Sequence, residues 1–187
     1  MLSATPDHLT ETELQAAALD GELHPLGAGY LPIDVPLDPR ARLTALSPAL
    51  RDGRVIVAAR CAAWVWGWTE ASCPVLCCCV SSLHRIPSTA RRALAAREVV
   101  IDPDEVARLD GIAITTRLRT LIDLARHDDG SDLPQLLAAA VRDSTAVAGT
   151  GLSGDQIDAA LARRPAAAHS RRARVRLRHV LDELSRC

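Results

Sequence analysis

In the segment GIAITTRLRTLIDLAR, residues 111 to 126, the apolar positions change their period from about 2 to about 3.6 residues. Residues 112 to 114 read as a short β-branched strand, and Leu118, Leu121, Ile122 and Ala125 then recur at the spacing of one helix face. A strand feeds a helix. Thr115 or Thr116 supplies the N-cap, its hydroxyl accepting a backbone N–H of the first turn. Arg119 and Asp123 stand four apart, where they can pair along one flank.

The same reading predicts a helix over residues 10 to 19, with Thr10 as N-cap and Glu13 at the capping-box position, and a turn-rich strand pair over residues 23 to 31. The segment PIDVPLDPR, residues 32 to 40, disfavours helix and sheet interior alike and reads as a linker. Beyond it come a helix over residues 40 to 49, a strand over 54 to 58, and a helix over 59 to 66 stopped by Gly67. Strands follow at 75 to 80 and 97 to 101, then a short helix at 103 to 109 capped by Asp102. The rest is helical: 133 to 142, 153 to 163 with Ser153 as N-cap, and 169 to 185. This order predicts an α+β fold, a small mixed sheet with packed helices and a helical C-terminal part, in which residues 1–40 precede a main unit at 41–187.

Projected as a helix, the final segment places Ala173, Leu177, Val180, Leu181 and Leu184 on one stripe. Arg171, Arg174 and Arg178 run along one side of it, Arg172 and Arg176 along the other. Two readings follow. The rails are a surface for nucleic-acid phosphates or an acidic partner. Alternatively, the arginine stems cover apolar surface with their heads in water, and Arg178, Asp182 and Arg186 link at i,i+4. The absence of interleaved aromatic residues for base stacking favours the second.

Composition bounds the picture without choosing between those readings. The chain has 187 residues, 48% hydrophobic and 24% charged, enough for one domain of ordinary size with a small appendage. Uncharged runs such as residues 61 to 69 are too short to cross a bilayer, and the N-terminal residues carry acids where a signal peptide needs positive charge; a soluble cytoplasmic protein with no membrane role is expected. Lys and Phe are absent, so the abundance of Arg is not evidence that its bidentate fork was selected. The net charge of −1 hides a polarity. Residues 1 to 39 hold seven acids and no Arg, whereas residues 160 to 187 hold eight arginines against Asp182 and Glu183.

Candidate chemistry is sparse. Cys73, Cys77, Cys78 and Cys79 crowd together, but adjacent thiols on a strand diverge, so they read as small buried side chains with no metal site and, in a reducing compartment, no structural disulfide. Trp64, Trp66 and Trp68 are three of only four aromatic rings and read as core fillers, with one of them partly exposed. The six histidines are scattered, and neither a nucleophile motif nor a phosphate-binding glycine loop is present. No enzymatic activity and no cofactor are expected.

The segment GIAITTRLRTLIDLAR resembles the stretch of glycine, three apolar residues, threonine, and then Arg-Thr, two apolar residues and Asp-Leu-Ala-Arg in actinobacterial proteins of the AbiEi antitoxin family, from type IV toxin-antitoxin systems. The likeness extends to VIVAARCAAWVWGW, residues 55 to 68, and downstream through the Arg-rich helix, so that it covers roughly residues 45 to 180. The resemblance implies an antitoxin that counteracts a nucleotidyltransferase-like toxin and regulates its own operon through an N-terminal winged helix. Thr116, Arg119, Thr120 and Asp123 match the motif and are expected to form a capped, internally paired helix without a catalytic role. LTETELQAAALDGELHPLGAGYLP, residues 9 to 32, is similar to the last helix and wing of such a module but lacks its preceding helices and any basic residue. DNA, if bound, would meet the arginines of the C-terminal helix, weakly. Relatives bearing a restriction-type endonuclease domain share the motif, so the alternatives are an accessory or truncated relative of those proteins, or a DNA-binding transcriptional regulator without a toxin partner.

Overall fold

Helix α1 (Glu11–Leu19) begins where its polar pattern places it: the Thr10 hydroxyl accepts the Glu13 N–H at 3.4 Å, and the Glu13 carboxylate accepts the Thr10 N–H at 2.7 Å. These are features of a computed structural model that describes residues 9–26, 29–46, 50, 52–70, 76–148, 154–163 and 168–186, the side chains of 144–148 excepted. The chain is a mixed α+β fold of eight helices and seven strands among the described residues. Strands β1 (Leu23–Leu26) and β2 (Gly29–Pro32) pair antiparallel with Leu23 opposite Pro32, and Leu26 and Leu31 point into the main core. The proline-rich segment then leads into α2 (Pro39–Leu46); the expected helix end at residues 47–49 lies outside the described residues.

A five-stranded mixed sheet forms the centre. Its order is β5 (Arg97–Val99), β4 (Cys78–Ser81), β3 (Val55–Val57), β7 (Ile112–Thr115), β6 (Val106–Leu109). β3 pairs antiparallel with β4 and parallel with β7, which puts Ile56 beside both Cys79 and Ala113. The parallel β4–β5 pair is joined through the short helix α4 (Ser88–Ala93), as a parallel crossover requires. Alternation sorts the side chains: Val55, Val57, Cys78, Val80 and Ile114 serve one face, Ile56, Cys79 and Ala113 the other. Val75, expected to open β4, lies outside the described residues.

The helix expected over residues 103 to 109 is corrected. Asp102 caps only a single 3-10 turn, Pro103–Glu105, and the chain then enters β6. The signal that overrides the helical reading is the Asp110-Gly111 pair, whose φ values of +49° and +84° make a two-residue hairpin turn between Leu109 and Ile112. Glycine takes that conformation at no steric cost, and its twist matches the antiparallel strands it joins.

Helices α3 (Ala59–Val65), α5 (Arg117–His127), α6 (Leu133–Ala148), α7 (Gly154–Ala162) and α8 (Ser170–Leu184) build the remaining layer. Ser153, the expected cap of α7, lies outside the described residues. The inner face of α5 packs Leu121, Ile122, Leu124 and Ala125 against Val57, Ile114 and the α3 side chains. α8 contributes Ala173, Leu177 and Val180 as buried residues and Leu181 and Leu184 as partly buried ones, which is the stripe its spacing defines. All three tryptophans are buried, so the partly exposed ring expected from helical projection is absent. Cys61 is disulfide-bonded, against the expectation for the cysteines, while Cys77, Cys78 and Cys79 are in no disulfide. That expectation rested on the compartment alone. Folding sets Cys61 at a fully buried position of α3, where its sulfur accepts the Cys77 N–H at 3.0 Å.

Candidate functional site

The strand-to-helix junction at β7 and α5 is held by its own polar residues. Thr116 is the N-cap, its hydroxyl accepting the Arg119 N–H at 3.4 Å. The Thr120 hydroxyl lies 2.7 Å from the fully buried Thr115 hydroxyl and 2.9 Å from the Thr116 carbonyl, so with Thr115 donating to Thr120 the Thr120 hydrogen is left for the carbonyl. Arg119 is only 6% exposed. Its Nε donates to Asp123 at 2.8 Å, and its Nη1 to Glu105 at 2.9 Å and the Val100 carbonyl at 3.3 Å. Burial opposes the charge on this guanidinium, but the Asp123 and Glu105 carboxylates outweigh it and hold the pKa above its ordinary value. The i,i+4 pair read from the sequence is therefore present, and Glu105 is a second acid that spacing along one helix could not reveal. Its signal was the Asp102 to Glu105 capping box, which fixes Glu105 at the end of the turn facing α5.

On the other flank of the junction, the tryptophans are tied to it by polar contacts. Trp66 donates its indole N–H to the Thr115 carbonyl at 3.1 Å, and the Arg117 guanidinium stacks over the Trp66 ring at 4.3 Å. Asp143 on α6 receives both the Arg117 Nε and the Trp68 indole N–H at 2.8 Å.

The five arginines of the candidate binding helix divide sharply. Arg172 and Arg176 both reach Asp129, and Arg176 also donates to the Ala125 and Asp128 carbonyls at 3.1 and 2.8 Å, capping the C-terminus of α5. Arg174 and Arg178 both reach Asp158 on α7 at 3.2 Å, and together they hold its carboxyl below the usual range, Arg178 acting most strongly. Arg178 thus turns to α7 and does not build the expected chain with Asp182 and Arg186. Only Arg171 among the five is left exposed with no described partner. Two carboxylates on neighbouring elements neutralise much of the rails. Sequence reading missed them because Asp129 and Asp158 come from separate segments that only packing brings to α8.

Arg60 makes the densest ion-pair cluster, its fork reaching Asp128 at 2.6 and 2.8 Å and Asp132 at 2.7 and 3.0 Å. A cavity of about 300 Å³ lies beside it, lined by Cys77, Cys79, Arg97, Arg119, Asp123 and His127 among others. Its thiols are poor nucleophiles: burial pushes Cys78 up to about 11, and burial with the nearby Asp123 charge pushes Cys79 up to about 12. Burial first, and then the Arg97 charge, lower the pKa of His127, keeping the imidazole neutral. Among the described residues no three His, Cys, Asp or Glu side chains converge as a metal site, and no described helix is long and apolar enough to cross a membrane. Compared with protein-family models and with curated proteins, the chain matches none.

Proposed function

We propose that this chain is an antitoxin-like protein that acts by binding a macromolecular partner, a nucleotidyltransferase-like toxin, and not by catalysis. The observation that carries this reading is the fate of the junction residues. Thr116 spends its hydroxyl on the helix cap, Thr120 on Thr115 and a carbonyl, and Arg119 on Asp123 and Glu105. The segment that resembles the AbiEi antitoxins is thus occupied in building the interior of a scaffold, and recognition is left to the surface. Co-expression with a nucleotidyltransferase-like toxin encoded beside it tests the reading. Growth should recover and the two proteins should co-purify; continued arrest without a complex would sink it.

Operon regulation through α8 is the weaker part of the same reading, because Arg172, Arg174, Arg176 and Arg178 are already held by Asp129 and Asp158. Any DNA binding should be weak and salt-sensitive, and lowered by Arg171→Ala, Arg174→Ala and Arg178→Ala together. A gel-shift titration that gives equal affinity before and after those changes removes α8 from the account.

A further inference from the structure

Acids outside any ion pair gather in the N-terminal part of the described chain. Asp20, Glu22, Asp34, Asp38 and Glu70 enter no ion pair among the described residues, while four of the five α8 arginines do. Two of these acids, Asp34 and Glu70, stand at a groove of about 440 Å³ between the β1–β2 hairpin and α3. Its walls include Leu26 and Trp64, both buried, whereas Ile33 and Leu37 remain 56% and 41% exposed. The groove is stiffened from behind. Arg42 stacks over Trp64 at 5.6 Å and donates to the Trp64 and Thr69 carbonyls at 2.8 and 3.2 Å. Its charge is thereby turned inward, reaching Glu70 only through space and short of an ion pair.

We infer that this groove is a docking site for a cationic polypeptide segment of a partner protein, one that inserts an apolar side chain between Ile33 and Leu37 while its Arg or Lys residues meet Asp34 and Glu70. Charge complementarity selects the occupant. Seven acids and no Arg or Lys in residues 1 to 39 repel nucleic-acid phosphates and attract a basic chain. A second copy of this protein is the poorer fit, since its most basic element already spends Arg172, Arg174, Arg176 and Arg178 on its own acids. Exposed apolar residues beside unpaired charge are what an anchor-and-rim interface requires. The inference stands apart from the identity of any toxin.

The test is a fluorescence-anisotropy titration of the full chain against a labelled synthetic peptide alternating Arg and Leu, beside a counterpart alternating Glu and Leu. The Arg peptide should bind, the Glu peptide should not, and raising salt from about 0.05 to about 0.3 M should weaken binding severalfold. Asp34→Arg with Glu70→Arg should weaken it at least about tenfold, as should Ile33→Asn with Leu37→Asn. All four side chains are exposed, so thermal melting should be unchanged; the milder Asp34→Asn serves if charge reversal disturbs folding. Equal binding of the two peptides, or variants that leave the Arg peptide's affinity intact, would overturn the inference. So would duplex DNA binding or self-association that these substitutions abolish, because either assigns the groove to a different occupant. A negative titration leaves growth rescue by co-expression untouched, and failed rescue leaves the titration untouched.

Discussion

Arg119→Met should be among the most damaging single substitutions in α5. It removes the cation from between Asp123 and Glu105, whose side chains are only 16% and 14% exposed, and leaves two nearly buried carboxylates without their shared guanidinium. Breaking a buried pair by removing one partner costs about 3–5 kcal/mol, and the residual access of water to both acids argues for the low end, about 3 kcal/mol. For a chain of this size that lowers Tm by roughly 6–12 °C, at roughly 2–4 °C per kcal/mol. Urea unfolding followed by fluorescence of the three buried tryptophans gives the number directly. Combining Arg119→Met with Glu105→Gln and Asp123→Asn should recover at least about half of the loss, because the penalty is the unpaired charge and not the missing attraction. The amide introduced by Glu105→Gln keeps an oxygen able to accept the Asp102 N–H, which Glu105 accepts at 2.9 Å. A single-variant loss below about 1 kcal/mol, or a triple variant as unstable as the single, would refute the reasoning.

A second perturbation concerns Gly130, where a Cβ would clash with Arg60 Nη2 and stand 2.7 Å from Asp132 Oδ1. Gly130→Ala should displace the Arg60 fork and cost roughly 1–3 kcal/mol, while adding it to Arg60→Ala should cost far less in a double-mutant cycle. The same cluster sets an acid sensitivity. Burial alone would raise the pKa of Asp128, but its bonds from Arg60 and the Gly130 N–H outweigh that; Asp132 is lowered chiefly by Arg60. Both lie below their ordinary value of 3.8 in the folded chain, so their contribution is fully present above that pH and is lost as pH falls through the folded values. Urea midpoints should drop on the acid side of about pH 4, and Arg60→Gln should flatten that slope; an unchanged slope would count against the cluster as its source.

Local features of this protein were legible in the chain because their causes are local. N-caps act over three residues, so Thr10 with its capping-box partner Glu13 located α1, and Thr116 located α5, without knowledge of any neighbour. The apolar stripes of α5 and α8 followed from the helical repeat, and the Arg119 to Asp123 pair from one turn of it. Residues 103 to 109 were misread because a capped turn and a helix start alike, and the deciding partner, β7, lies beyond the Asp110-Gly111 turn.

The sequence by itself determined the periods, the caps, the mixed α+β class and the polarity of an acidic head and a basic tail. Only the tertiary structure decided what that polarity means. Hydrophobic periodicity reports which face of an element is buried, but the charge that reaches its other face comes from distant segments, as Asp129 and Asp158 reach α8 and Glu105 reaches Arg119. Packing therefore neutralised much of the basic helix that looked like a surface for phosphates. It left unpaired Asp34 and Glu70 around an apolar groove, of which only Asp34 belongs to the acidic head that composition showed.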